Sequence, residues 1–522
     1  MNRRDLLVSA IGLASGMTAV NALSAKKVIS PKNQHADSPA AVIYVDKEPY
    51  NGDLKSALIN AIPGCVIVLG NRTYDITGLY VNNSNTIENI KIFGAGGRPK
   101  VSGDKSQLIN GSVIQGAIKN AAKGMQLIDV GIDCGNYVSQ NLYSPVTYED
   151  GFQCFGVGDN AGIHLDNIIT LGSIGVESND STHGILLERL SGVTFTYVEC
   201  VGGYHGFTVK GRDICGDRIW SYGQSGEAVI WRSDEMTKSD NFTVNQIRIG
   251  KDGYNTRGVV MDSNKNNVTE NINIGFISAH KCDFVLWPAT PTPGNEAPLK
   301  NVHIGFIQAT ECISPHEQEE WAVSINDNAD GFSIGSLSID GARGGIRTGQ
   351  SCKNVVIDTM LIRNSITHGC ALGGDITHGK IRVDDNKGHG VLNIGGFSFD
   401  ASQVTGRGNK ESLVSSAVAV SSITNGWEQG KDGDFRAIKL GRTCRISGTL
   451  STSNASSPVA VTFINGIKAD MKTSISAIGF IGRKGWVPLE CFITTDGELF
   501  VSGYKDATKK VIQFNGEFLI EE

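Results

Sequence analysis

Asn271-Ile272-Asn273-Ile274-Gly275-Phe276-Ile277-Ser278-Ala279 returns thirty residues later as Asn301-Val302-His303-Ile304-Gly305-Phe306-Ile307-Gln308-Ala309. A looser copy, Gly331-Phe332-Ser333-Ile334-Gly335-Ser336-Leu337, follows after another thirty, and Asn354-Val355-Val356-Ile357 after twenty-three more. Within each copy apolar and polar residues alternate, the period of a strand with one buried face. A second family of short strands interleaves with the first: Gly184-Ile185-Leu186-Leu187, Gly206-Phe207-Thr208-Val209, Ala228-Val229-Ile230, Gly258-Val259-Val260-Met261, Phe284-Val285-Leu286 and Gly390-Val391-Leu392. No such unit can bury its apolar side alone, so the units are expected to stack into a parallel β-helix, an all-β solenoid.

The composition agrees. Glycine accounts for 64 of 522 residues, about 12% against a usual figure near 7%. Each interior glycine costs a helix roughly 1 kcal/mol, whereas a solenoid uses glycine at its turns. The formal net charge of −6, with 47 basic residues, argues against nucleic acid as a partner. Eleven cysteines without a C-x-x-C pair read as small buried hydrophobes, and neither a metal nor a cofactor is expected.

Outward from the repeats, Leu54, Ala57, Leu58 and Ala61 have helical spacing and Pro63-Gly64 ends the run, which suits a short helix capping the open end of the stack. Strands are expected at Cys65–Gly70 and Thr73–Ile76. Residues 1–40 stand apart. Arg3-Arg4 ahead of the uncharged run Val8–Ala25 resembles a twin-arginine export signal, and a peptide docking the chain onto a larger assembly is the competing reading. No membrane span is expected. The β-helix is assigned to 41–400, a Ser/Gly/Ala-rich linker to 401–424, and an antiparallel β-sandwich to 425–522, from strands such as Arg442–Gly448, Val459–Phe463, Glu498–Gly503 and Val511–Phe514.

A capping helix, a long β-helix and a small β-sandwich in this order resemble the bacteriophage tailspikes, with their pectate-lyase-like right-handed parallel β-helix. The resemblance implies a homotrimer in the virion tail that binds and cuts a bacterial capsular or other surface polysaccharide at the host-cell surface. It also implies docking to other tail proteins through residues 1–40. A Tat-exported bacterial depolymerase and a non-catalytic glycan-binding adhesin are the alternatives.

Period converts to a surface map, because matching residues of successive rungs form columns. Taking Ile185/Leu187, Phe207/Val209, Ala228/Ile230, Val259/Met261 and Phe284/Leu286 as inward pairs puts Glu188, Lys210, Trp231, Asp262 and Trp287 in one outward column, a mixture of charges and indoles suited to sugars. Further along the same register, Asp213 and Asp234 become rung neighbours at about the carboxylate separation of a retaining glycosidase. Glu235 and Glu227 lie on the same edge, and Arg212 and Arg232 are there to bind substrate or to pair with the acids. Hydrolysis through these carboxylates is the first mechanism expected. On the opposite edge His183-Gly184 and His205-Gly206 stack, with Tyr204 beside the second. They suit β-elimination at a uronic acid, with His205 or Tyr204 as base and Lys210 or Arg212 stabilising the developing negative charge, although histidines before glycine are first read as turn residues in water.

Overall fold

The computed structural model describes residues 41–76, 88–118, 123–134, 152–158, 162–172, 183–233, 238–254, 256–263, 267–288, 298–313, 321–395 and the greater part of 403–519. Residues 1–40, on which the export and docking readings fall, lie outside the described residues. Among the described residues no helix is long and apolar enough to cross a membrane.

The repeats stack in parallel as the alternation requires, forming a right-handed β-helix. Ile272, Ile274 and Ile277 lie level with Val302, Ile304 and Ile307, and Phe332, Ile334 and Leu337 form the next rung. All nine are buried in one continuous core. Each such side chain contributes roughly 1.5–3 kcal/mol by leaving water. One set of strands runs through Ile185–Glu188, Phe207–Lys210, Val229–Arg232, Val259–Asp262 and Leu286–Pro288, continuing to Trp321–Ile325 and Gly344–Thr348. Gly305 and Gly335 mark a corner where the wall turns. A Cβ on either would come within 2.6 Å of the carbonyl oxygen of the glycine one rung before, so only glycine allows the rungs to approach there.

A second corner explains the asparagine that opens three of the four copies, the other opening on Gly331, also at positive φ. Asp213, Asn241, Asn271, Asn301 and Asn354 occupy left-handed backbone with φ of 55, 55, 58, 52 and 52°, a conformation that Asn and Asp tolerate better than other residues with a Cβ. Their side chains climb the stack: the Asn241 amide donates to Asp213 (2.9 Å), Asn271 to Asn241 (3.2 Å) and Asn301 to Asn271 (3.2 Å).

At the N-terminal end the capping helix is Leu54–Ile59. Asp53 caps it, its carboxylate accepting the Ser56 N–H at 2.9 Å, while Leu54, Ala57 and Leu58 pack into the core with Ile67 and Tyr74. The neighbouring strands are Val66–Val68 and Thr73–Asp75.

The stretch 401–424, read from its composition as a linker, carries strands. Val404–Thr405 pairs with Ile381–Arg382, and Val414–Val418 continues the parallel stack beside Val391 before pairing antiparallel with Arg436–Leu440. Two antiparallel sheets follow. One contains Thr443–Thr452, Ser476–Ile481 and Lys510–Leu519; the other contains Val420–Ile423, Val459–Phe463, Cys491–Ile493 and Glu498–Val501. They bury Cys444, Ile446, Leu450, Ile512 and Phe518 from the first sheet, and Ile493, Leu499 and Val501 from the second.

Nine of the ten described cysteines are buried and Cys215 is exposed.

Candidate functional site

The outward column begins as expected and then departs by one residue. Glu188 and Lys210 are rung partners, with Lys210 Nζ 3.7 Å from the Glu188 carboxylate. At the next rung Val209 stands level with Trp231 and Phe207 with Val229, so the inward pair is Val229/Trp231 and Arg232 takes the outward place. Trp231 is 1% exposed and meets Phe242 edge-on at 3.8 Å between ring centroids, so it is a core residue and not a sugar platform. The reason lies in the turn. Ala228 accepts the Phe207 N–H and donates to Gly258, which holds it ahead of the strand and shifts every later side chain to the other face. Trp287 is displaced as well: it stands level with Val260, half-buried, with its ring against Phe284.

The column therefore reads Glu188, Lys210, Arg232, Asp262. It holds two ion pairs with the cations on the two middle rungs, the second pair between Arg232 Nε and Asp262 at 3.1 Å. Burial raises the Asp262 pKa above the ordinary carboxylate value, against the opposing pull of Arg232. Arg212 is exposed, level with Ser191 and Asp240.

Asp213 belongs to the asparagine ladder. It closes the asparagine ladder from a left-handed corner, its carboxylate engaged by Asn241, and its rung neighbour is Asn241 in place of Asp234. The insertion after Arg232 breaks the spacing on which that pairing depended. Asp234 and Glu235 themselves lie outside the described residues.

The edge where the strands begin brings the remaining candidates together. His183 and His205 stand on adjacent rungs with ring centroids 4.9 Å apart, and Tyr204 meets the His205 ring edge-on at 4.3 Å. His205 Nδ1 lies 2.8 Å from Glu227 Oε2 on the following rung. These histidines are not turn residues in water: His205 is 9% exposed, and His183 Nδ1 is 2.7 Å from the Thr208 hydroxyl. Burial drives the His183 pKa well below the usual imidazole value, assisted by His205, Lys210 and Arg232, so this ring is neutral. Burial opposes ionisation of Glu227, but the hydrogen bond and charge of His205, with help from Arg257, leave its pKa below the ordinary value.

Two residues that motif reading missed complete the edge. Arg257 bridges Glu227 at 3.6 Å and Asp283 at 3.8 Å. Arg257-Gly258 opens its strand as His205-Gly206 opens an earlier one, and that shared offset was the available signal. His205 Nδ1 lies 2.8 Å from the Glu227 carboxylate and 3.4 Å from the Glu227 backbone N–H; a proton shared with the carboxylate across the shorter contact leaves Nε2 of the neutral ring as the basic nitrogen.

The same column carries a second stack of this kind. His368 and His389 have ring centroids 5.2 Å apart at 8°, and His389 Nε2 is 2.7 Å from Glu411. Ligand-capable atoms of these three residues lie within 4.8 Å of one another. The His389 backbone N–H donates to His368 Nδ1 at 3.0 Å, which leaves the ring proton of neutral His368 on Nε2.

No family matches the chain, and no curated protein does. Among solved structures it is similar to the catalytic unit of a thermostable α-1,3-glucanase from Streptomyces thermodiastaticus (12% identity, 73% of this chain and 69% of that one, TM-score 0.41). It is also similar to the Dettilon tailspike protein (12%, 92% and 94%, TM-score 0.32) and to a tailspike from Acinetobacter baumannii bacteriophage Fri1, a capsular polysaccharide depolymerase (9%, 92% and 84%, TM-score 0.24). At scores of this size the likeness carries no argument, and the functional reading rests on the side chains of this chain.

Proposed function

We propose that the protein binds and cuts a bacterial surface polysaccharide along the edge formed by His183, Tyr204, His205, Glu227 and Arg257, beside the charged column Glu188, Lys210, Arg232 and Asp262. The observation that carries this reading is the 2.8 Å contact of His205 with Glu227, which orients a base next to cationic side chains. It favours β-elimination at a uronic acid. His205 Nε2 takes the proton α to the sugar carboxylate, the C4–oxygen bond to the next sugar breaks with its electron pair going to the oxygen, which takes a proton from water, and a C4=C5 double bond remains. Lys210 and Arg232 stabilise the negative charge that develops on the carboxylate. Hydrolysis is the second reading. It has lost the Asp213–Asp234 pair, and Asp234 or Glu235 would have to supply its acid.

Incubation with typed capsules, followed by mass spectrometry of the fragments, tests the proposal. Elimination releases fragments that absorb in the ultraviolet and are lighter by one water than the hydrolysis products. Release of fully hydrated fragments overturns the elimination mechanism, and release of none overturns the enzyme and leaves an adhesin. The setting proposed is a homotrimer on a virion tail, attached through residues 1–40. A mature chain beginning near Lys26 would instead identify the exported bacterial enzyme.

A further inference from the structure

The long strands turn a corner and present a different outer face through Tyr197–Val201, Arg218–Tyr222 and Gln246–Ile249. Register places Tyr197 beside Arg218 and Gln246, and Glu199 beside Trp220 and Arg248. On this face cations stand over aromatic rings. The guanidinium carbons of Arg98 and Arg218 are 4.2 and 5.2 Å from the centre of Tyr197. Arg248 and Lys251 are 4.4 and 5.2 Å from the centre of Trp220, and Lys251 is 4.6 Å from that of Tyr222. None of this follows from a motif, because the residues come from four separate stretches of chain.

The acids on this face are already engaged. Glu199 is 4% exposed, and its carboxylate accepts the Tyr222 hydroxyl at 2.6 Å and meets Arg98 at 3.0 Å. Asp217 holds Arg218 Nε at 3.1 Å. Arg248 and Lys251 have no carboxylate at ion-pair distance among the described residues, yet both are fixed over an indole and reach solvent. A cation held over a ring keeps its charge and loses much of its conformational freedom, so an arriving anion meets a pre-ordered site.

Two clefts flank this pair. One of about 460 Å³ is lined by Arg98, Asn167, Tyr197 and Arg218. The other, about 300 Å³, runs across the following rungs past Gln246, Arg248, Ser278 and Gln308, whose amides and hydroxyl match the alternating donors and acceptors of sugar hydroxyls. Isolated charge, aromatic rings and neutral polar groups thus follow one another along the solenoid axis.

We infer that this face is a docking strip for a carboxylate-bearing polysaccharide, with an acidic group of the polymer held between Arg248 and Lys251. The inference rests on the polysaccharide reading above for the class of polymer, and is independent of which residues cut it. The chain as a whole carries −6, which disfavours a nucleic-acid backbone as the occupant.

The test is retention of the full chain in gels containing polygalacturonate, alginate or hyaluronate, with dextran and double-stranded DNA as separate arms. Retention on at least one carboxylated polymer but not on dextran is expected, weakening with salt. The double variant Arg248→Ala, Lys251→Ala should bind that polymer about tenfold or more weakly, the loss of a charge-assisted hydrogen bond. The swap Arg248→Lys, Lys251→Arg should restore most of the affinity. Lys472→Ala removes a comparable cation from over Phe492 in the sandwich and should leave retention unchanged. Equal retention on dextran, stronger retention on DNA, no retention on any carboxylated polymer, or a double variant that binds like the parent each overturns the inference. If the polymer is retained and not cut, the docking strip stands and the catalytic proposal fails.

Discussion

Glu227 and His205 occupy consecutive rungs of the solenoid, and a carboxylate oxygen of the first lies 2.8 Å from Nδ1 of the second. Glu227 touches the base and not the substrate in this arrangement, so it is a positioning residue. Glu227→Gln should lower turnover roughly 10²- to 10⁴-fold, because the amide no longer fixes the tautomer that exposes Nε2. The acid limb of the pH–rate profile, where a general base is lost to protonation, should shift in the variant relative to the wild type. An unchanged rate and profile in Glu227→Gln would remove the dyad from the mechanism.

The same contact governs acid stability. Glu227 has its pKa depressed below the ordinary value of 4.5 in the fold, so its contribution is fully present above that value and is lost as pH falls through the lower folded value. Thermal melts of wild type and Glu227→Gln should differ at neutral pH and converge in acid. A gap that widens in acid would reverse the assigned sign.

His183 acts in the opposite sense. Its ring titrates near 6.5 when unfolded and well below that in the fold, where burial and the charges of His205, Lys210 and Arg232 disfavour the proton. As pH drops below 6.5 the unfolded chain takes up the proton first, so stability falls until the folded ring also protonates. The slope amounts to at most about 1.4 kcal/mol per pH unit. His183→Gln should flatten it in urea titrations between about pH 8 and about pH 5; a slope equal to that of the wild type would mean the ring is protonated in the fold.

Asp213→Asn should be silent in activity, since an asparagine can continue the ladder that Asn241 begins. Loss of cleavage in this variant, with the melting temperature unchanged, would return Asp213 to the catalytic set. Asn271→Ala, by contrast, places a residue without a capping side chain at φ 58° and breaks two ladder bonds. It should cost roughly 1–2 kcal/mol for the backbone and about 1 kcal/mol for each bond, read from the urea midpoint.

Trp231→Ala should destabilise the fold by about 3–5 kcal/mol, the cost of emptying a core site filled by an aromatic ring. Arg232→Ala should weaken substrate binding and cost less stability than Trp231→Ala, the cost coming from the Asp262 carboxylate left without its partner. The reverse pattern would restore Trp231 as the outward member of the column.

Much of the architecture was legible in the chain. Alternating Ile272, Ile274 and Ile277, repeated at Val302, Ile304 and Ile307, specify strands and their stacking, because a period of two and a unit that recurs every 23 to 30 residues admit few other ways to bury one face. The helix at Leu54–Ile59 was equally plain from the spacing of its buried side. The column was less secure. A single residue of turn at Ala228 exchanges Trp231 for Arg232, and nothing in the composition of Ala228-Val229-Ile230 separates the two registers.

The sequence by itself determined the β-helix, its capping helix and the antiparallel end, since these follow from local periodicity. Only the tertiary structure decided which side chains meet. It tied Asp213 into a ladder, drew Arg257 to Glu227, and gathered Arg98, Tyr197, Trp220, Arg248 and Lys251 onto one face. In a solenoid these neighbours lie twenty or more residues apart along the chain, and their meeting depends on the exact length of every turn between them.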